Sequence, residues 1–281
     1  MTNLPQAEPH LLSSPAHNRA DSDPEFLQRD DLRAVRLQLE WCKPELIQQD
    51  EGIESTIVLL GSARLLEPGA AKAKLLIAEE EFAALPHDPE KNRAVATARN
   101  QTTLSPYYQE AREFGGLVSF SCQIGGHCEF VIIIGGGPGI MEAANRGAAE
   151  VKAKPIGLNI ALPHQQLPNP YITPALCFQF HYFALRKMHF LNRAKTLVVF
   201  PGGFGTMDEL FETLTLLQTG KVQEVSVVLI GRNCWEDLIN WKKLVEYGLI
   251  GAEDLQLFHY AETAGEAWNI IVAEHLKDAP S

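Results

Sequence analysis

The sequence has few of the features that mark secreted or membrane proteins. Its 281 residues include only five cysteines, an odd number that does not suit the disulfide framework of a secreted chain, so we expect free thiols. No apolar run reaches the roughly 20 residues that span a bilayer. The N-terminal residues lack the basic start and apolar stretch of a signal peptide. We therefore expect the protein to remain in the cytoplasm.

Positive charge is scarce as well. The chain carries 24 lysines and arginines against 35 aspartates and glutamates, a formal net charge of -11. A strongly acidic protein is repelled by polyanions. We therefore expect neither a nucleic acid polymer nor a membrane surface as partner, whereas local donors can still hold a small anion.

Metal and cofactor motifs are also missing. Cys122, His127 and Cys128 lie close together, but the two cysteines are six residues apart and no second pair accompanies them, unlike in a zinc site. A pyridoxal phosphate enzyme needs a Schiff-base lysine in a suitable pocket, and no motif identifies one. We expect no metal and no cofactor.

The composition divides the chain into three parts. Residues 1–24 are rich in Pro, Ser, Asn and Asp, which predicts a flexible N-terminal arm. Residues 25–54 place apolar side chains at partly helical spacing ahead of Pro44 and predict an accessory helical segment. Residues 55–278 are predicted to form one nucleotide-binding catalytic domain.

Short apolar runs recur through this domain, such as STIVLLGS, FVIIIGGG, PIGLNIAL, KTLVVFPGG and VSVVLIG. Continuous rather than alternating runs indicate strands that are covered on both faces. Helical patterns lie between them, for example from Ala70 to about Leu85 and from Pro106 to about Cys122. This alternation predicts a doubly wound, Rossmann-like α/β fold, a parallel sheet with helices on both faces.

Three glycine-containing loops follow predicted strands: GSAR at Gly61, GGGPGIMEAANRG at Gly135 and PGGFGTMDE at Pro201. In a parallel sheet such loops meet at the carboxyl edge, where ligands bind. The second loop fails the dinucleotide fingerprint because Ile140 or Glu142 stands where a glycine is needed, and no Walker A lysine follows the glycines. Together the loops favour a phosphate-bearing ligand over an ordinary NAD or P-loop nucleotide.

Each motif also has a purely structural interpretation. The glycines from Gly135 suit a tight strand-to-helix turn. Thr206 and Glu209 have the spacing of a capping box at a helix start. In FALRKMHFLNRA, three apolar residues predict the packed face of a helix, namely Phe183, Met188 and Leu191. Three basic residues share another face, which such patterns usually leave in solvent: Arg186, His189 and Arg193.

The motifs GGGPGIMEAANRGA and PGGFGTMDEL, with ALRKMHF upstream, resemble the LONELY GUY (LOG) family. These phosphoribohydrolases split cytokinin nucleotides and often carry a lysine decarboxylase label. The resemblance runs from about Ile57 to Leu276. It implies that Arg186 and Glu209 are catalytic, and their separation of 23 residues fits the family pattern. The N-terminal part and LPHQQLPNPYITP are absent from short plant-type members and are similar to a longer bacterial group.

The loops and the resemblance together give the candidate binding residues. Backbone N–H groups at the glycines, with the Thr206 hydroxyl, are expected to hold a 5′-phosphate. Glu142 is a candidate for a ribose hydroxyl or for a favourable charge at a helix start. Thr215 matches a family position near the ligand, although a helix threonine more often only packs. The full set is Gly61, Ser62, Gly136, Gly137, Gly139, Glu142, Lys187, Gly202, Gly203, Gly205, Thr206 and Thr215.

The resemblance implies hydrolysis of a purine or cytokinin-type nucleoside 5′-monophosphate, such as AMP, to free base and ribose 5-phosphate. Bond cleavage builds positive charge on the sugar, which the Glu209 carboxylate would stabilise while it deprotonates water. Arg186 would orient Glu209 and substrate, or ease charge onto the base. The alternative is a nucleotide-binding carrier or sensor without chemistry. The resemblance also implies a homodimer or a higher homo-oligomer.

Overall fold

The structure is a computed structural model that describes residues 8–123, 128–163, 167–222 and 225–275. Its strands are β1 Thr56–Leu60, β2 Val131–Ile134, β3 Ile156–Ile160, β4 Cys177–Phe180, β5 Ala194–Val199, β6 Ser226–Ile230 and β7 His259–Ala261. Within the described residues these seven strands form one sheet in the order β4-β3-β2-β1-β5-β6-β7. Every neighbouring pair is parallel.

Helices cover both faces of this sheet. Their bounds are α1 Pro9–Leu12, α2 Pro24–Leu27, α3 Arg33–Asp50, α4 Pro68–Ala84, α5 Pro89–Leu104, α6 Pro106–Cys122, α7 Ile140–Glu150, α8 Phe183–Asn192, α9 Phe204–Gln218, α10 Arg232–Leu238, α11 Trp241–Glu246 and α12 Ala264–His275. In β1, Val58 and Leu60 join a core with residues of α8 and α9, whereas Ile57 and Leu59 join a core with α6, α7 and α12. The predicted doubly wound α/β fold is confirmed.

Burial on both faces explains the unbroken apolar runs. All five residues of β1 and all four of β2 are buried, so neither strand has a solvent face that would call for alternating polar residues. The strand order reverses beside β1, which pairs with β2 on one side and with β5 on the other. The loops after β1, β2 and β5 therefore leave three adjacent strands at the switch point of the sheet, where doubly wound folds bind ligands.

Some elements differ from the sequence expectations. Within the predicted accessory helical segment, α3 continues through the buried Pro44 to Asp50. Helix α5 was not predicted, since it has few apolar residues; its start is fixed by Asp88, whose carboxylate accepts a hydrogen bond from Glu90 N at 2.8 Å. The segment from Cys177 divides into β4 and α8, which the apolar pattern did not separate.

The N-terminal part contains α1, α2 and three short turns of 3₁₀ helix before α3. Residues 1–7 and 276–278 lie outside the described residues, and the boundaries of the arm, the helical segment and the catalytic domain stay a prediction. Among the described helices, none combines the length and apolar character needed to cross a membrane.

Candidate active site

The three glycine-containing loops meet through backbone hydrogen bonds. Ser62 N donates to Pro201 O at 3.1 Å, which joins the loops after β1 and β5. Ile140 N donates to Ser62 O at 3.1 Å, which joins the start of α7 to the loop after β1. The predicted convergence of these loops is therefore a feature of the structure, and Gly61 and Ser62 lie at its centre.

The loop after β2 depends on glycine and on a residue that the sequence motifs did not reveal. Gly136 and Gly139 have φ of +78° and +73°, which side chains rarely adopt. Asn169 is buried, and its Nδ2 lies 3.2 Å from both Gly136 O and Gly137 O, while its own N donates to Gly136 O at 2.9 Å. Asn169 therefore shapes the loop. It lies in a Pro-rich segment without periodicity, so the sequence carried no signal for it.

The start of α9 excludes the capping box. The N-cap is Gly203, and the helix begins at Phe204. Thr206 and Glu209 therefore lie inside the helix and not at the N-cap and N3 positions that a capping box requires. The N-cap residue, Gly203, has no side chain to cap this end, and nothing lies within 4 Å of where a Cβ of Gly203 or Gly205 would be. The first backbone N–H groups of a helix have no acceptor within the helix, and at a start without a side-chain cap such groups form a site for anions.

The Thr206 hydroxyl points back toward this loop. A Cβ at Gly202 would lie 2.1 Å from Thr206 Oγ1, so the hydroxyl occupies the space beside the Gly202 backbone. Thr206 itself is buried. Gly202, Gly203, Gly205 and Thr206 are therefore grouped at one helix end, as the sequence motif predicts.

Arg186 and Glu209 form a buried ion pair between α8 and α9. Arg186 Nη2 lies 3.1 Å from Glu209 Oε1, and the two side chains are only 12% and 8% exposed. The guanidinium carbon of Arg186 also lies 5.0 Å from the ring centroid of Phe183 and 5.6 Å from that of Phe190. Charges so far from water are costly unless paired, so each side chain needs the other.

Burial also shifts the protonation equilibria of the pair. Burial raises the pKa of Glu209, an effect larger than the lowering caused by the neighbouring Arg186 charge. Burial likewise lowers the pKa of Arg186, against the opposing effect of Glu209. A carboxyl whose pKa is raised is a stronger base once ionised, which suits it to accept a proton from water.

The helix α8 is oriented differently from the expectation. Phe183 and Met188, predicted to pack, are 51% and 53% exposed, whereas His189, predicted to lie on the solvated face, is 2% exposed. Arg186 is turned to α9, and Arg193 forms an ion pair with Glu45 of α3. The prediction of a solvated basic face is therefore wrong. The residues that contact this face lie far away in the sequence, so the local pattern does not reveal them.

Two of the remaining candidates, Glu142 and Lys187, have polar partners within the chain. Glu142 is in the first turn of α7 and accepts a hydrogen bond from the Tyr108 hydroxyl at 3.2 Å. Burial raises the pKa of Tyr108 to about 12, so this hydroxyl keeps its proton. Lys187 Nζ lies 3.0 Å from Asp208 and 2.8 Å from Glu212 of α9.

Thr215 is not near the glycine loops within this chain. It is eleven positions beyond the first residue of α9, about 16 Å along the helix axis at 1.5 Å per residue. Its hydroxyl donates to Phe211 O at 2.7 Å, and it lines a small pocket with Trp241 and Phe258. The structure thus gives Thr215 a local contact and does not bring it to the glycine-containing loops.

Two further features lie elsewhere. His127, one of the residues weighed as a metal ligand, lies outside the described residues; among those described, no group of three or more His, Cys, Asp or Glu side chains is arranged to hold a metal.

A pocket of about 610 Å³ lies at the opposite edge of the sheet, beside Lys195 and Ser226 at the starts of β5 and β6. It is remote from the carboxyl edge, where the loops meet.

Residues 141–271 match the model of a protein family described as "Possible lysine decarboxylase". The predicted family resemblance is confirmed. The matched segment contains α8 and α9, and with them Arg186 and Glu209. None of the curated proteins matches the chain.

Several solved structures are similar to this chain. TM1055, a structural genomics target, is 18% identical over 78% of this chain and 99% of its own, with a TM-score of 0.45. The Moco carrier protein from Chlamydomonas reinhardtii is 17% identical over 79% and 99%, with a TM-score of 0.43. The molybdenum cofactor binding protein from the phototrophic bacterium Rippkaea orientalis is 16% identical over 59% and 86%, with a TM-score of 0.40.

The buried pair predicts a coupled effect on stability. Arg186→Met leaves the Glu209 carboxylate buried without its cation, so we expect the free energy of unfolding to fall by about 3 kcal/mol near neutral pH. Because burial already raises the pKa of Glu209, the lone carboxyl is protonated more readily in the folded state. The loss should therefore be larger at about pH 8 than at about pH 5.

Urea unfolding of wild type, Arg186→Met, Glu209→Gln and the double variant measures this coupling. The double variant should be more stable than the two single effects predict when added, since it contains no unpaired charge. Additive losses that do not change with pH would show that the two side chains do not interact.

Proposed function

We propose that the protein hydrolyses the N-glycosidic bond of nucleoside 5′-monophosphates to free base and ribose 5-phosphate. The observation that carries this proposal is the buried Arg186–Glu209 pair beside an uncapped helix start. From Gly205 to Glu209 the helix rises about 6 Å, comparable with the span of a ribose from its 5′-phosphate to its C1 carbon. One helix can thus offer an anion site and a carboxylate at the two ends of this sugar.

The phosphate is bound by backbone donors in this proposal. The N–H groups at the start of α9, with the Thr206 hydroxyl, hold its oxygens, and the loop of Gly136, Gly137 and Gly139 closes the site from the neighbouring strand. Glu142 meets a ribose hydroxyl. The binding energy of the phosphate then fixes the position of the sugar carbon that reacts.

The Glu209 carboxylate supplies the chemistry. It opposes the positive charge that builds on the sugar as the bond to the base breaks, and it takes a proton from the attacking water. The Arg186 guanidinium holds Glu209 in place and eases negative charge onto the departing base. Electrons of the broken bond leave with the base, and the water oxygen becomes the new substituent on C1.

The wider assignments follow the family resemblance. The base is of the purine or cytokinin type, and residues 55–278 form the catalytic unit, which works in the cytoplasm as a homodimer or higher homo-oligomer. Lys187 and Thr215 stay proposed ligand-binding residues. In this chain Lys187 contacts Asp208 and Glu212, and Thr215 contacts Phe211.

The phosphate requirement tests the substrate class. With a panel of nucleoside monophosphates, we expect release of ribose 5-phosphate and free base, detected by chromatography. The matching nucleosides should not be cleaved at a comparable rate, since they lack the group that anchors the sugar. Equal turnover of adenosine and AMP would remove the role given to Gly203, Gly205 and Thr206.

A second variant separates an enzyme from a carrier. Glu209→Gln keeps the size of the side chain and an oxygen that can accept from Arg186, but it can neither take a proton nor oppose positive charge. Turnover should fall by at least about a hundredfold, while nucleotide binding measured by calorimetry stays close to wild type. Wild-type protein that binds nucleotides and releases no base would instead support the carrier or sensor.

A further inference from the structure

The helix α8, which carries Arg186, contacts the core through Phe190 and α9 through Lys187, but little in its own sequence stabilises it as a helix. It is ten residues long, and no side chain from its own N-cap residue, Tyr182, caps it. Two of its large apolar side chains, Phe183 and Met188, are about half exposed. Isolated helices of this length are marginal in water. The position of Arg186 therefore depends on what packs against α8.

Helix α3 contacts the N-terminal end of α8. The Glu40 carboxylate accepts hydrogen bonds from the backbone N–H groups of His181 and Tyr182, through one oxygen. Its other oxygen is buried and has no hydrogen-bond partner among the described residues. A carboxylate at the start of a helix is stabilised by the helix dipole and supplies the missing acceptor. Glu40 therefore caps α8 from a helix that lies more than a hundred residues earlier.

The next residue of α3 holds the middle of α8. The Trp41 ring lies 4.4 Å from the ring of His189, with an interplanar angle of 30°, and His189 in turn lies 5.4 Å from the ring of Phe180 in β4. Neither ring nitrogen of His189 has a hydrogen-bond partner among the described residues. Burial lowers the pKa of His189, so the imidazole serves as a neutral, packed ring one helical turn after Arg186.

The C-terminal end of α8 also contacts α3. Glu45 accepts a hydrogen bond from Asn192 Nδ2 at 2.6 Å and forms an ion pair with Arg193. Arg193 Nη1 also donates to Ile53 O at 3.1 Å, beyond the end of α3. Contacts from Glu40, Trp41 and Glu45 thus fix the beginning, middle and end of α8 from one short stretch of α3.

We propose that α3 positions the catalytic arginine: Glu40 and Trp41 are positioning residues that hold α8 so that Arg186 reaches Glu209. This inference rests on the proposed function. Helix α3 lies outside the segment that matches the family model, residues 141–271. A displacement of α8 by about 1 Å would lengthen the single contact between Arg186 and Glu209, and errors of that size cost about a hundredfold in rate.

The test uses full-length variants on adjacent positions of α3. Glu40→Ala removes the cap and Trp41→Ala removes the ring contact, whereas Trp41→Phe keeps an aromatic ring over His189. Leu39→Ala is the matched control, because Leu39 is 54% exposed on the same helix. We expect kcat for a nucleoside monophosphate to fall about tenfold or more in the two alanine variants, with KM within about threefold. Trp41→Phe should restore most of kcat, and Leu39→Ala should match wild type.

Hydrogen exchange gives a readout that does not depend on activity. Amides of α8 should exchange faster in the two alanine variants, while those of α9 and the central strands keep their protection. If α8 is unchanged, or if kcat per folded molecule equals that of wild type, α3 has no positioning role and the inference is overturned.

The failure of the proposed function can be told apart from the failure of this inference. Wild-type protein without activity on any nucleotide would reject the proposed function alone. The coupling between Arg186 and Glu209, measured by urea unfolding in a Glu40→Ala background, then decides the inference. A coupling clearly smaller than in the wild-type background supports positioning by α3, and an unchanged coupling overturns it.

Discussion

The arrangement depends on one electrostatic constraint: a guanidinium and a carboxylate are buried together between α8 and α9. Neither side chain is more than about an eighth exposed, at 12% and 8%. A buried charge without a partner is strongly destabilising, so the fold must keep the two helices in register. Glu209 belongs to α9, which follows the central strand β5, whereas Arg186 belongs to the short helix α8, which also contacts α3 of the N-terminal part. The geometry of the pair therefore links distant parts of the chain.

The switch point of the sheet places this pair beside the loops. Because β1 lies between β2 and β5, the three loops that follow these strands leave one edge of the sheet side by side. Backbone hydrogen bonds through Ser62 then tie all three together. The start of α9 and the Glu209 carboxylate lie in the same helix, about 6 Å apart along its axis, a spacing that suits a phosphorylated sugar.

Much of this could be predicted from the sequence, for identifiable reasons. Buried strands such as β1 carry unbroken apolar runs, and glycines mark the turns that follow them. The fold class and the convergence of the loops could therefore be predicted. The burial of Arg186 could not be predicted, because its partner lies 23 positions away on another helix and a basic residue on an amphipathic segment usually faces water. The capping-box interpretation of Thr206 and Glu209 failed because the helix begins at Phe204. The role of Asn169 could not be predicted, since the contact of one side chain with two carbonyl oxygens leaves no periodic pattern in the sequence.

The central claim is that the start of α9 binds the phosphate of a sugar whose C1 carbon faces Glu209. A crystal structure of the protein with ribose 5-phosphate tests it most directly, because this molecule is both the proposed product and the smallest ligand with the two features. We expect the phosphate to accept hydrogen bonds from the backbone N–H groups of Phe204, Gly205 and Thr206, with C1 next to the Glu209 carboxylate. Ribose 5-phosphate bound at another place, or bound with C1 turned away from Glu209, would contradict the account.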